Sequence, residues 1–305
     1  RRWRDRWASK KGRWRGGEIS VVALGRLGGQ EMSAASDLDI ITIDEVAEGT
    51  EGADGPKPLT ASQYYARVTQ QLVSALTAPT AEGKLYEVDL RLRPSGNAGP
   101  VASQLSSFAA YQTTGAWTWE HMALTRAHVI TGSPAFVAKI EATIRETLAE
   151  QRDPQKTAGD VRDMRARIAK EYKTDDPWEL KHVRGGLIDL EFIAQYLQLV
   201  HAHEHNDILS PNTREVFTLC AELGVLPQDV TERLIAAFDL QHDLTHILRI
   251  CVTGTLKPEA ATESLRTRLA QGGNAPDFTI LEASLRDAQA DVLAIYADIV
   301  GDPSA

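Results

Sequence analysis

Two short stretches of this sequence carry residue types that could do phosphate chemistry. The first, Gly25-Arg-Leu-Gly-Gly29, is glycine-rich and follows an apolar run, so its backbone N–H groups can approach an anion closely. The second, Ser36-Asp-Leu-Asp-Ile40, sets Asp37 and Asp39 two residues apart, which on a strand is the same face. Like charges side by side cost stability unless a cation sits between them. A hard divalent cation such as Mg2+ or Mn2+ takes oxygen ligands and removes that cost. A third acid, Asp89, sits in the alternating run Leu85–Arg93, on the side of Arg91 and Arg93 and opposite Val88, Leu90 and Leu92. There the acid would ligate a metal while the arginines neutralise phosphate oxygens. Taken singly, an Asp-x-Asp is a solvated strand edge and a glycine-rich turn is a turn. Together with Asp89 they describe a metal–triphosphate site. The Gly-x-Gly-x-x-Gly dinucleotide fingerprint and the Gly-Lys-Ser/Thr phosphate loop are both absent.

The elements that must hold these groups can be read from the spacing of apolar residues. Ile19–Leu24 has the length of a buried strand, and Asp37–Ile43 forms a second. Residues 60–78 carry Tyr64, Val68, Leu72 and Leu76 at four-residue intervals behind Thr60 or Ser62, an amphipathic helix with its cap. Residues 45–58 read as a surface loop. Residues 115–130 read as a helix whose Trp117 and Trp119 are core residues and whose Glu120 and Arg126 have no assigned role. After Gly132 the texture is helical. Ser133-Pro134 opens one helix, Val161 to Tyr172 stripe another, Leu187–Val200 is a third, and Ser210-Pro211 opens one closed by Gly224. Residues 228–252 and 279–300 supply two more. The fold class is α+β: a mixed sheet with helices over residues 1–130, then an all-α helical bundle over residues 131–305.

Composition sets outer limits. The 305 residues are 43% hydrophobic and 25% charged, a globular mixture. Charge is uneven: residues 1–15 hold eight of the 33 basic residues against one acid, so a basic tip precedes an acidic body. An acidic body argues against a broad nucleic-acid face. The tip, with Trp3, Trp7 and Trp14, reads as a basic helix at 1–16 that joins this segment to more chain. Cys220 and Cys251 are too few for a disulfide framework, which suits a cytoplasmic protein. No stretch has the length of a membrane span and no signal-peptide pattern is present. His201/His205 and His242/His246 have i, i+4 spacing but no zincin glutamate, and read as solvated helix faces.

Three stretches resemble the glutamine synthetase adenylyltransferase family, within the DNA polymerase β-like nucleotidyltransferase superfamily. They are Ala23–Gly29 with Ser36–Asp39, Leu85–Gly96, and Leu180–Leu199. The family is bifunctional, with one half attaching AMP to a tyrosine of glutamine synthetase and the other removing it by phosphorolysis. Tyr86–Asp89, Pro94–Gly99 and Ala116–His121 resemble the adenylylating half, and a chain that opens at Arg1 without methionine fits one half of a longer enzyme. The resemblance implies Asp37, Asp39 and Asp89 as metal-binding catalytic acids, with ATP as substrate and Mg2+ or Mn2+ as cofactor. It implies Gly25, Arg26, Gly28, Gly29, Ser36, Arg91 and Arg93 at the nucleotide, with Lys181 and Asp189 closing on it from the second domain. Arg26 departs from the wider superfamily, where a serine commonly follows the first glycine. The implied partners are glutamine synthetase and the PII signal protein, with glutamine as effector, and neither nucleic acid nor membrane. The alternatives are the deadenylylating half and a non-catalytic module that binds nucleotide and PII.

Overall fold

The computed structural model describes Trp14 and residues 16–47, 59–84 and 86–301. The basic helix expected at 1–16, most of the 45–58 loop and Leu85 therefore lie outside the described residues. The chain divides into two compact units, the first formed by residues 1–30 and 36–147, the second by residues 31–35 and 148–305. The first unit thus extends past the expected limit at residue 130. The added helix, α4 (Pro134–Leu148), is tied back to that unit by an ion pair from Lys139 to Glu45 at 2.6 Å.

The first unit is built on a five-stranded mixed sheet. β1 (Gly17–Ala23) pairs antiparallel with β2 (Leu38–Val46) along its whole length. β2 is the central strand, and residues 40–44 are all buried, so Ile40, Ile41 and Ile43 do not alternate with exposed polar residues. On the far edge of β2 two short strands lie end to end, both parallel to it. β3 (Val88–Asp89) pairs with Leu38–Asp39, and β4 (Ala102–Gln104) pairs with Thr42–Asp44. β5 (His128–Val129) closes the other edge against Val22 and Ala23 of β1.

Helices cover this sheet. α1 (Ala61–Leu76) starts at Thr60, whose hydroxyl accepts from the Gln63 amide while the Gln63 side chain accepts from the Thr60 amide. Such reciprocal capping satisfies two of the donors a helix start leaves open. Thr69 of α1 meets Thr42 of β2, hydroxyl to hydroxyl at 2.8 Å in a buried contact. α2 (Leu105–Thr114) and α3 (Thr118–Leu124) follow. α3 is shorter than the expected 115–130 helix because the chain leaves it to form β5. Its tryptophans are surface residues rather than core: Trp117 is 72% and Trp119 38% exposed, whereas Met122 and Leu124 face inward. The alternation through Leu85–Arg93 yields only the two-residue β3. Beyond Asp89 the chain turns, with Arg93 N–H donating to the Leu90 carbonyl at 3.2 Å and Gly96 N–H to the Arg93 carbonyl at 2.8 Å.

Asp44 of β2 is 1% exposed and its Oδ2 has no hydrogen-bond partner. Burial pushes its carboxyl up to about 7.

The second unit is helical. α5 (Pro154–Tyr172) opens on Asp153, whose carboxylate accepts from the Gln155 and Lys156 amides. α6 (Leu187–His201) is buried nearly all round, so it is the central helix, with α7 (Thr213–Glu222), α8 (Gln228–Cys251), α9 (Glu263–Gly272) and α10 (Phe278–Ile299) completing the bundle. Leu244, Leu269, Leu281 and Leu285 share one cluster with Trp178 and Leu180, and Trp178 stacks on Phe278 at 5.3 Å. Residues 31–35 pack with this unit, where Glu31 accepts from the Thr213 amide at 2.7 Å. Among the described residues no helix is long and apolar enough to cross a membrane.

At the centre lies a fully buried ion pair. Arg165 Nε donates to Asp189 Oδ1 at 2.6 Å, its Nη2 donates to Oδ2 at 3.1 Å, and the same Nη2 reaches the His182 and Val183 carbonyls. The Gly185 amide donates to Asp189 Oδ2 at 2.6 Å, and Gln241 donates to the Gly185 carbonyl at 3.0 Å. Gly185 has φ +76, and a Cβ there would overlap the Gln289 carbonyl of α10. Only glycine fits this position.

Two stability measurements follow from these charges. Removing one partner of a buried pair strands the other. Arg165→Leu should therefore lower unfolding free energy by about 3–5 kcal/mol in urea titration, and a loss under about 1 kcal/mol would show that Asp189 finds another partner. Asp44 has the opposite sign. Burial makes its folded carboxyl hold its proton to about 7, well above the usual carboxylate range, so the folded state binds an extra proton between about 4 and 7. Stability due to Asp44 is therefore lost as pH rises from about 4 to 7. Asp44→Asn should be more stable than the parent at pH 8 by about 2–3 kcal/mol and should lack this part of the pH dependence; a less stable variant at pH 8 contradicts the assignment.

Candidate active site

The first unit gathers its acids through strand register. Asp37 and Asp39 are two apart at the start of β2, and parallel pairing sets Asp39 directly beside Asp89. Neighbours in register project to the same side of a sheet, so Asp39 and Asp89 share one face, and Asp37 stands just before β2. The Leu38 amide donates to the Glu87 carbonyl at 2.9 Å and holds this register. Asp37 is exposed, while Asp39 and Asp89 are half-buried.

The glycine-led turn stands against these acids. β1 ends at Ala23, the Leu24 amide donates to the Asp39 carbonyl at 2.9 Å, and the chain enters a single helical turn, Gly25–Gly28. Gly25 has φ +51, and a Cβ on it would overlap Asp39 Oδ2. Glycine here serves both the left-handed backbone and the close approach of the carboxylate. The Gly28 and Gly29 amides are spent within the turn, on the Leu24 and Gly25 carbonyls at 2.8 and 3.0 Å. Gly28 is a packing position, since a Cβ would overlap the Arg126 carbonyl. Arg26 and Ser36 are half-buried beside this edge in sequence.

Arg126 is the residue that sequence reasoning missed. Buried at 4% exposure, it donates from Nε to the Gly25 carbonyl at 3.0 Å, so its backbone backs Gly28 and its side chain braces Gly25. No spacing in the sequence links residues 101 apart. Only the β1–β5 pairing, which sets Ala23 opposite His128, brings Arg126 to the turn.

Arg91 and Arg93 have different surroundings. Arg91 is exposed and grips Asp89, its amide donating to Oδ1 and its Nε to Oδ2, each at 2.7 Å. Burial raises the Asp89 carboxyl, but the Arg91 hydrogen bonds and the Arg91 and Arg93 charges outweigh it and hold Asp89 below the usual carboxylate range. Asp39 and Asp37 in turn favour the charged guanidinium of Arg91. Arg93 is buried and donates to the Leu90 carbonyl at 2.8 Å, while its Nε has no hydrogen-bond partner. Its guanidinium holds the turn after β3.

In the second unit Lys181 is exposed, but Asp189 has no exposed surface. Its two oxygens are committed to Arg165 and Gly185, so the structure makes it a buried counter-ion and not a group that reaches a nucleotide.

The acids suit a divalent cation in donor type and in backbone placement. Among the described residues no three His, Cys, Asp or Glu side chains are already gathered to hold a metal ion. The cause is visible at Asp89, whose oxygens both face Arg91. Asp37, Asp39 and Asp89 offer the oxygen donors that Mg2+ or Mn2+ takes, with Asp89 held by Arg91 in this structure.

A small mixed sheet with acids beside a glycine-led turn, together with a helical unit, has the form of a nucleotidyltransferase fold. Residues 4–143 match the glutamate-ammonia ligase adenylyltransferase family and belong to it, and residues 161–267 match the GlnD PII-uridylyltransferase family. The chain is 52% identical over 292 residues to a bifunctional glutamine synthetase adenylyltransferase/adenylyl-removing enzyme of Bradyrhizobium diazoefficiens, covering 96% of this chain and 29% of that protein. Proteins of the same name from Rhodopseudomonas palustris and Xanthobacter autotrophicus are 48% and 49% identical over 99% and 93% of this chain. The chain spans 29 to 30% of the length of these relatives.

Gly25→Ala should keep the far-UV circular dichroism of the parent while weakening Mn2+ binding, read by electron paramagnetic resonance, by about tenfold or more, as displacing a group that orients a ligand does. Unchanged Mn2+ affinity would separate Asp39 from the metal.

Proposed function

We propose that this chain is the adenylylating segment of a glutamine synthetase adenylyltransferase, transferring AMP from ATP to a tyrosine of glutamine synthetase. The observation that carries this reading is the register of Asp39 with Asp89, beside Asp37 and against Gly25. Asp37, Asp39 and Asp89 would hold two divalent ions, Mg2+ or Mn2+, which supply charge neutralisation at the phosphates and an activated attacking oxygen. The Gly25–Gly29 turn lies along the triphosphate, with Arg26 and Arg91 placed to neutralise its oxygens. Arg93 contributes charge from its buried position, and Ser36 sits at the entry to β2. The tyrosine oxygen attacks the α-phosphorus, the bond to the β-phosphate oxygen breaks, and pyrophosphate leaves. Asp89 would take the hydroxyl proton.

The choice of the adenylylating half rests on Tyr86–Asp89, Pro94–Gly99 and Ala116–His121. The likeness of residues 161–267 to a family named for PII uridylylation supports the PII signal protein as a partner, with glutamine as effector. Two free cysteines, Cys220 and Cys251, agree with a cytoplasmic setting.

ATP labelled at the α-phosphate, offered with unmodified glutamine synthetase, should label the acceptor tyrosine, and Asp39→Asn should reduce that rate by at least about a hundredfold. Release of ADP from adenylylated glutamine synthetase and phosphate, without labelling in the first assay, would assign the chain to the deadenylylating half.

A further inference from the structure

The histidine pair on α8 is half-buried rather than solvated. His242 and His246 lie one turn apart, and their Nε2 atoms stand 3.3 Å from each other. The rings meet edge to face, with centroids 4.5 Å apart and planes at 72°. One turn earlier Phe238, 4% exposed, stacks on His242 with its centroid at 5.4 Å and its plane at 16°. Packing therefore fixes the orientation of that ring. Spacing alone does not produce such a pair. His201 and His205 are also four apart, but His201 ends α6 and His205 lies beyond it, so no single helix face carries both.

The separation of the two nitrogens selects a ligand chemistry. Without a metal the contact is an N–H···N hydrogen bond, one imidazole carrying its proton on Nε2 and the other presenting a bare Nε2. The same distance suits two ligands of one tetrahedral ion. Imidazole nitrogens about 2.0–2.1 Å from Zn2+, at the tetrahedral angle, stand about 3.3–3.4 Å apart. A square-planar ion would bring neighbouring nitrogens to about 2.8–2.9 Å, closer than these rings stand. An ion here takes the place of the proton between the rings, and each imidazole then keeps its proton on Nδ1. Hard cations such as Mg2+ prefer oxygen and gain nothing from this pair.

We propose that His242 and His246 form a Zn2+ site on α8, separate from the aspartates of the first unit, with the Nε2 atom of each ring as a ligand. Among the described residues no third His, Cys, Asp or Glu side chain is already gathered with them, so water fills the remaining positions. That makes the site open and its ion exchangeable, unlike the closed four-ligand sites that hold a fold together. Its effect is local to the second unit. The ion joins two successive turns of the helix whose Gln241 donates to the Gly185 carbonyl, beside the buried Arg165–Asp189 pair. A ligand that binds the folded helix in preference to the unfolded chain stabilises it by mass action.

The test is a ZnCl2 titration of the full chain with nitrogen-15 in its histidines, read at the imidazole nitrogens in the presence of excess Mg2+. Carboxylates give no signal in this measurement, so binding at Asp37, Asp39 and Asp89 does not imitate the result. Saturable shifts are expected at Nε2 of His242 and His246, together with a rise in the thermal midpoint, and Mg2+ alone should produce neither. His242→Gln and His246→Gln should each bind Zn2+ at least about tenfold more weakly, since losing even a group that orients a ligand costs that much. Both should keep the parent's far-UV circular dichroism, and His205→Gln should bind as the parent does. The parent titration needs no variant, so it decides the matter even if a substitution unfolds the helix. The proposal is overturned by shifts at other histidines with none at His242 and His246, by the same shifts with Mg2+, or by undiminished affinity in either folded glutamine variant.

Discussion

The parallel pairing of Leu38–Asp39 with Val88–Asp89 is the contact on which the rest of the first unit depends. It places two carboxylates at neighbouring positions of one sheet edge, with Asp37 two residues back. Such an arrangement repels itself, and the surrounding residues are those that let it persist. Arg91 covers Asp89 with a main-chain and a side-chain hydrogen bond. Gly25 gives up its side chain so that the Asp39 carboxylate can lie against the turn. Arg126, from the chain that leads into β5, holds the turn from behind. A cation supplied with a nucleotide would complete the same balance, which explains why one set of residues serves both the fold and the proposed chemistry.

The second unit solves a different problem with a similar pair of charges. Arg165 and Asp189 are both wholly buried and pair with each other, and the Gly185 amide adds a further hydrogen bond to Asp189. The interaction ties α5 to the start of α6, while Gln241 of α8 and the backbone of α10 close on Gly185. Buried ion pairs are poor sources of net stability, but this one determines which helices meet at the turn. Within the Leu180–Leu199 stretch, which resembles a family signature, Gly185 and Asp189 therefore have an architectural role in this structure.

Local signals in the sequence were reliable where the backbone pattern is regular. The strand at Ile19–Leu24, the capped helix after Thr60 and the helices of the second unit follow from apolar spacing. What local pattern does not contain is pairing between distant segments. The alternation through Leu85–Arg93 suggests a long strand, yet only Val88 and Asp89 find a partner on β2, because the chain turns at Leu90–Gly96. Arg126 and β5 depend on a contact to β1 across about a hundred residues. Asp189 has the spacing of an acid at a helix start, where the helix dipole favours negative charge. Its burial beside Arg165 depends on a helix some twenty residues earlier. Trp117 and Trp119 have the composition of core residues but lie on the outer side of a short helix.

The central claim is that Asp37, Asp39 and Asp89 form one divalent-cation site on the β2–β3 edge. Anomalous diffraction from crystals grown with Mn2+ and a non-hydrolysable ATP analogue tests it most directly. The account predicts Mn2+ density bound by oxygens of all three aspartates, with Asp89 turned away from Arg91 and Arg91 turned to the phosphates. Mn2+ bound elsewhere, or Asp89 still held by Arg91 while nucleotide and Mn2+ are in place, would contradict it.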